Sequence, residues 1–130
     1  MSACLDSWAV LDWLDGREPA FGRIEGVLGT AVMSWINAVE VYYRVDRDHG
    51  RAKADRVIAS LRSEFELDLP GPARMIASAR LKSVRTIALG DCFAIATAAA
   101  HGLPLLTGDP EILEQPDLPC AVEDLRPQPA

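Results

Sequence analysis

Asp6, Glu40, Asp91 and Asp109 are the side chains of this sequence whose type and placement suit chemistry. Asp6, Asp91 and Asp109 each follow or open an element of regular structure, and Glu40 lies within one. Asp6 comes after the short apolar run Ala3-Cys4-Leu5. Asp91 stands at the entrance of an apolar, alanine-rich segment, and Asp109 in the turn Thr107-Gly108-Asp109-Pro110 after another apolar run. Glu40 lies in the segment after Thr30-Ala31-Val32-Met33. Two carboxylates ~4 Å apart repel by roughly 4 kcal/mol at an effective dielectric near 20. A cluster of them must therefore protonate in part or bind a cation. Hard divalent ions with oxygen ligands, Mg²⁺ or Mn²⁺, suit such a cluster. Bound there, they can activate water and offset charge developing on a phosphate. That the acids converge follows from the reading of the fold, since spacing in sequence alone does not bring them together.

The elements that would position them alternate between strand and helix. Ala3 to Leu5 reads as a central strand ending at Asp6, and Ser7 as the cap of a helix through Trp8, Leu11 and Leu14 to Gly16. Pro19 to Gly29 is a weaker helix, and Thr30 to Met33 a second strand. The spacing predicts a helix over Trp35 to His49, ended by Gly50, and another over Arg51 to Arg62 with Ala54, Val57, Ile58 and Leu61 on one stripe. Phe65 to Leu69 alternates as a strand does. Pro70-Gly71-Pro72 starts a further helix, whose inner face reads as Ala73, Ile76, Ala77, Leu81 and Val84. Gly90-Asp91 opens a helix that His101-Gly102 ends, Leu103 to Leu106 is a buried strand, and Ala121 to Leu125 a last strand. This alternation predicts a single α/β domain over residues 1–126: a central parallel sheet of four or five strands flanked by helices. The proline-rich residues 127–130 read as a frayed tail. In an open parallel sheet, sites form at the carboxyl ends of strands, which is where Asp6 and Asp109 would fall.

Each acid also has a plain structural role open to it. Asp6 could cap the first helix, and Asp91 could favour its helix start through charge. The Thr107 to Pro110 segment could be an ordinary turn. Asn37 followed three residues later by Glu40 fits an asparagine variant of the capping box. Ser7, Asn37 and Thr107 are candidate supporting residues: Ser7 and Thr107 could orient a carboxylate or a metal-bound water, with a cap and a turn hydroxyl equally open readings, and Asn37 could face the site from one turn before Glu40. Arg44, Arg47, Arg51 and Arg56 alternate with Asp46, Asp48 and Asp55 and read as a solvated mixed-charge face. His49 and His101 sit at helix ends and receive no catalytic role. Trp8, Trp13 and Trp35 read as core or dimer contacts rather than base-stacking platforms.

Composition narrows the class. The chain has 130 residues, 49% of them apolar, enough for one domain with a real core. No apolar run reaches the ~18 residues of a membrane span, and the N-terminus does not resemble a signal peptide. Three cysteines cannot all pair and lack metal-site spacing, which fits a reducing cytoplasm. A net charge of −6 argues against a protein that coats nucleic acid through basic patches. It leaves room for an enzyme that reaches phosphate through bound metal.

The segments CLDSWAVL, SWINAVEVYYRV and GDCFAIATAAAHGLPLLTGDPE, in this order and with ARLKS before the third, resemble a PIN domain of the VapC toxin type. The resemblance covers essentially the whole chain. The family's pattern of an Asp after strand one, a Glu in the helix after strand two, an Asp at a later helix start and a Thr-x-Asp after a following strand lands on Asp6, Glu40, Asp91 and Thr107-Gly108-Asp109. The resemblance implies a Mg²⁺-dependent endoribonuclease acting on RNA, with Mn²⁺ as a substitute, a homodimer, and a cognate antitoxin covering the acidic site. It makes the four acids catalytic and metal-binding.

Other folds with an acid after strand one fit less well. A phosphatase of the haloacid dehalogenase type needs a second Asp at the position of Trp8, a receiver domain needs a Lys after a late strand, and a dinucleotide fold needs a glycine-rich turn where Asp6-Ser7-Trp8 stands. The rival from another class is a non-catalytic binding protein whose acids hold a basic segment of a partner.

Overall fold

The computed structural model describes residues 2–128, so the expected frayed tail at 127–130 lies partly outside the described residues. The chain alternates as expected through β1 (Cys4–Leu5), α1 (Ser7–Leu14), α2 (Ala20–Glu25), β2 (Val32–Ser34), α3 (Trp35–His49), α4 (Arg51–Glu64), β3 (Glu66–Asp68), α5 (Pro72–Val84), α6 (Leu89–His101), β4 (Leu105–Thr107), α7 (Pro110–Leu113) and β5 (Val122–Asp124). The strands form one parallel sheet in the order β3-β2-β1-β4-β5. This is the single α/β domain with a five-stranded parallel sheet that the alternation predicts.

Strand order decides where the site can be. From β1 the chain moves outward through β2 to β3, then crosses back to β4 on the other side of β1. The reversal falls between β1 and β4, and ligands of open α/β sheets bind outside the carboxyl ends of strands at such a point. Leu5 pairs with Leu106 and Met33 in register. Asp6, one residue beyond Leu5, therefore emerges between Thr107 and Ser34.

Period-two alternation sorts the strand residues onto two faces. Leu5, Met33 and Leu106 join the larger core beneath α1 to α4, with Val10, Ile24, Val41 and Leu61. Cys4 and Leu105 join the second core with Ile87, Ile95 and Ile112. α6 closes that side; its residues Cys92 to Ala98 are all buried, which matches a run that is apolar except for Thr97. Gly102 ends it at φ 64, a left-handed conformation suited to glycine.

Three local expectations are corrected. The cap of α1 is Asp6, whose carboxylate accepts from Ala9 N–H at 2.8 Å, and Ser7 is the first helical residue. The cap of α3 is Ser34, accepting from Ile36 N–H, so Asn37 and Glu40 form no capping box. The inner face of α5 is not the apolar stripe: Ile76 is 54% and Val84 78% exposed. Its inward side runs through Arg74, Ser78 and Leu81 because polar contacts set it. Arg74 bonds Asp68 at 3.0 Å and Thr97 at 3.2 Å, while Lys82 bonds the Ile87 carbonyl. His101 completes this cluster, bonding Asp68 at 2.7 Å. Burial pushes the Asp68 carboxyl up, but its hydrogen bonds to His101 and Arg74 more than reverse this and hold it below the usual range.

Candidate functional site

The site begins at Asp6, buried among its neighbours and held at both oxygens. Oδ1 accepts from Ala9 N–H, and Oδ2 accepts from the Thr107 hydroxyl. Thr107 Oγ1 in turn accepts from Asp109 N–H at 3.0 Å. Thr107 thus ties the end of β1 to the turn after β4. Asp109 is more than a turn residue, since its carboxylate caps α7 through Glu111 N–H at 2.9 Å.

Gly108 in that turn permits a close approach. A Cβ there would lie 2.1 Å from the Trp8 ring, so the indole packs directly over the backbone. Trp8, Trp13 and Trp35 are all partly buried against the core. Trp13 lies 5.3 Å from Phe65 between ring centroids, and Arg62 stands over the Trp35 ring.

Asp91 sits in the first turn of α6, where the helix dipole favours a carboxylate. Glu40 arrives from α3 against Gly90, whose absent side chain leaves room for it: a Cβ there would lie 2.4 Å from Glu40 Oε2. Asn37, one turn before Glu40, donates to Glu40 Oε1 at 2.8 Å and to the Gly90 carbonyl at 3.1 Å.

The acids feel one another. Burial is the largest cause pushing Asp6 up to about 7, against the bonds from Thr107 and Ala9, with Asp91 and Asp109 adding repulsion. Burial likewise pushes Asp91 up to about 7, reinforced by Asp109 and Glu40. All four acids therefore belong to one electrostatic neighbourhood at the switch point. Of the expected supporting residues, Thr107 and Asn37 bond directly to acids of this group, whereas Ser7 makes no side-chain hydrogen bond among the described residues.

Among the described residues, no three His, Cys, Asp or Glu side chains converge tightly enough to form a ready-made metal cage. The donor chemistry nonetheless fits Mg²⁺, which dehydrates reluctantly and is commonly held by one or two carboxylates through a shell of waters. Neither the cleft of about 390 Å³ beside Trp8 nor the groove of about 590 Å³ between α5 and α6 is lined by any of the four acids. Two of the four arginines of the mixed-charge face pair with its own acids: Arg47 with Asp48 and Arg51 with Asp46.

Sequence reasoning missed the two close approaches, of Glu40 on Gly90 and of Trp8 on Gly108. The signal was present, since each glycine stands immediately before one of the acids.

A family model for the PIN domain matches residues 3–118, and the chain belongs to that family. Several solved structures share its fold. A toxin–antitoxin complex from Klebsiella pneumoniae is 21% identical, with a TM-score of 0.69 over 92% of this chain and 98% of that one. DNA-bound VapBC from Salmonella typhimurium is 16% identical, with a TM-score of 0.77 over 95% and 98%. VapC20 from Mycobacterium tuberculosis, a toxin that cleaves the sarcin–ricin loop, is 14% identical, with a TM-score of 0.70 over 85% and 92%. No curated protein matches the chain.

Proposed function

We propose that this protein is a divalent-metal-dependent endoribonuclease and the toxin of a toxin–antitoxin pair. What supports the reading is the mutual repulsion that Asp6 and Asp91 share with Asp109, and Asp91 with Glu40, beside the β1/β4 switch point, which helps burial push Asp6 and Asp91 up to about 7. Membership of the PIN family and a fold shared with toxin–antitoxin proteins support it.

The four acids would hold Mg²⁺, or Mn²⁺ in its place. When bound, the metal supplies charge to offset that of the phosphodiester and acidifies water for attack on phosphorus. The chain's own residues do the positioning. Thr107 and the Ala9 N–H fix both oxygens of Asp6. The start of α6 presents Asp91, and Gly90 admits Glu40 beside it. Thr107 holds the Asp109 backbone through its N–H, so the turn follows Asp6 rather than moving independently.

The partners in this reading are the RNA substrate, a cognate antitoxin that covers the acids, and a second copy of the chain. Exposed Val39 and Tyr43, one turn apart on α3, offer apolar surface for a homodimer. The domain would span residues 1–126. Three unpaired cysteines and the lack of any membrane-spanning helix among the described residues suit a cytoplasmic site of action.

Incubation of purified protein with RNA tests the proposal. Cleavage should require Mg²⁺ or Mn²⁺, stop in EDTA, and be lost in Asp6→Asn and Asp91→Asn proteins that remain folded. Asn at position 6 can still cap α1, so that variant separates chemistry from folding. A non-catalytic protein that holds a partner's basic segment would show no metal-dependent cleavage at all.

A further inference from the structure

We propose that Asn37 is a positioning residue: with Gly90 it forms a latch that holds Glu40 by Oε1 and leaves Oε2 for the divalent cation or its waters. The inference rests on the metal-dependent reading above and adds to it a residue outside the four acids. Because Ser34 caps α3, Asn37 is free of any capping duty. Its side chain is buried, and its two N–H groups go to Glu40 Oε1 and the Gly90 carbonyl. Both partners are acceptors, so the amide orientation is fixed: a flipped amide would set Oδ1 against two oxygens.

That orientation leaves Asn37 Oδ1 buried with no partner. An unpaired buried carbonyl is costly, and an aliphatic side chain of similar size would fill the space without that cost. What the asparagine contributes is therefore the pair of N–H bonds. The first steadies Glu40 from within α3, and the second joins α3 to the first turn of α6, which carries Asp91. Gly90 completes the latch sterically, because a Cβ there would lie 2.4 Å from Oε2 and 2.7 Å from Oε1. Glu40 Oε2, packed against Gly90, accepts no hydrogen bond among the described residues, so one oxygen is hydrogen-bonded and the other is without a partner. Without Asn37 the Glu40 side chain would regain its rotamer freedom, and a ligand would have to order it again.

The test is calorimetric titration of the whole, metal-free protein with Mn²⁺, alongside RNA cleavage. Asn37→Ala should weaken Mn²⁺ binding by about 10- to 100-fold, the usual range for a residue that orients a ligand. In a Glu40→Gln background the same substitution should cost little further, because its effect passes through the Glu40 carboxylate. Gly90→Ala, which keeps Asn37 but displaces Glu40, should weaken Mn²⁺ binding comparably, and it carries the test should Asn37→Ala not fold. Equal losses from Asn37→Ala in both backgrounds, or undiminished Mn²⁺ binding in Asn37→Ala or in Gly90→Ala, would overturn the latch while leaving the metal reading intact. Wild-type protein that binds no Mn²⁺ would overturn both.

Discussion

The Thr107 hydroxyl donates to the buried Asp6 carboxylate and at the same time accepts from Asp109 N–H, so one side chain joins two of the acids across the β1/β4 reversal. Removing the hydroxyl while keeping the shape isolates that function. Thr107→Val should destabilise the protein by about 1–3 kcal/mol, the range for leaving a buried polar group unpaired. Its bond is one of those holding the Asp6 carboxyl down, so its loss lets that group rise further. Thermal melts across pH should show a deficit that grows from pH 5 to pH 8, with Thr107→Ser close to wild type.

The pH dependence of the metal-free protein has an unusual sign. Asp6 and Asp91 are raised from 3.8 to about 7 in the folded state, chiefly by burial. Between about pH 4 and pH 7 the folded chain keeps protons that the unfolded chain has released. Stability should therefore fall as pH rises through this window and stay low above it. Asp68, held low by its partners, contributes in the opposite sense and only at more acidic pH. Melting at pH 5 should exceed that at pH 8 in EDTA, and millimolar Mg²⁺ or Mn²⁺ should recover stability at pH 8 but not at pH 5. A flat profile, or indifference to metal at pH 8, contradicts the shared site.

Asp91→Asn removes one repelling charge without removing bulk. The protein should fold, lose cleavage, and melt higher than wild type at pH 8 without metal, yet gain less from added Mn²⁺. Glu40→Gln should behave in the same way, since Gln keeps an oxygen for the Asn37 amide. Full activity in well-folded Glu40→Gln protein would return Glu40 to a structural role.

Gly108→Ala tests the packing that seats the turn. A Cβ at this buried position would meet the Trp8 ring at 2.1 Å, and the ring is rigid. The substitution should destabilise by about 1–3 kcal/mol through overpacking, read as a lower denaturation midpoint. It should also lower cleavage, because Gly108 separates Thr107 from Asp109.

Much of this was readable from residue order. The bounds of α3 followed from its apolar residues and from Gly50 after it, and Asp6, Asp91 and Asp109 fell at strand ends or a helix start, with Glu40 inside α3. What resisted reading depended on partners distant in sequence. Whether Ser34 or Asn37 capped α3 turned on where β2 stopped. The inner face of α5 was misread because Arg74 turns inward to Asp68 and Thr97, a polar tether that hydrophobic periodicity does not register. The four-residue helix α7 was hidden in what reads as a turn, since an Asp-Pro pair serves either. The approach of Glu40 to Gly90 joins two helices that are 50 positions apart in sequence, counted from residue 40 to residue 90.

Anomalous scattering from crystals soaked in Mn²⁺ addresses the central claim most directly. The account predicts Mn²⁺ among the carboxylates of Asp6, Glu40, Asp91 and Asp109, in direct contact or through waters, and no Mn²⁺ there in Asp91→Asn crystals. Mn²⁺ bound only elsewhere, or absent from this site in a preparation that cleaves RNA, would contradict it.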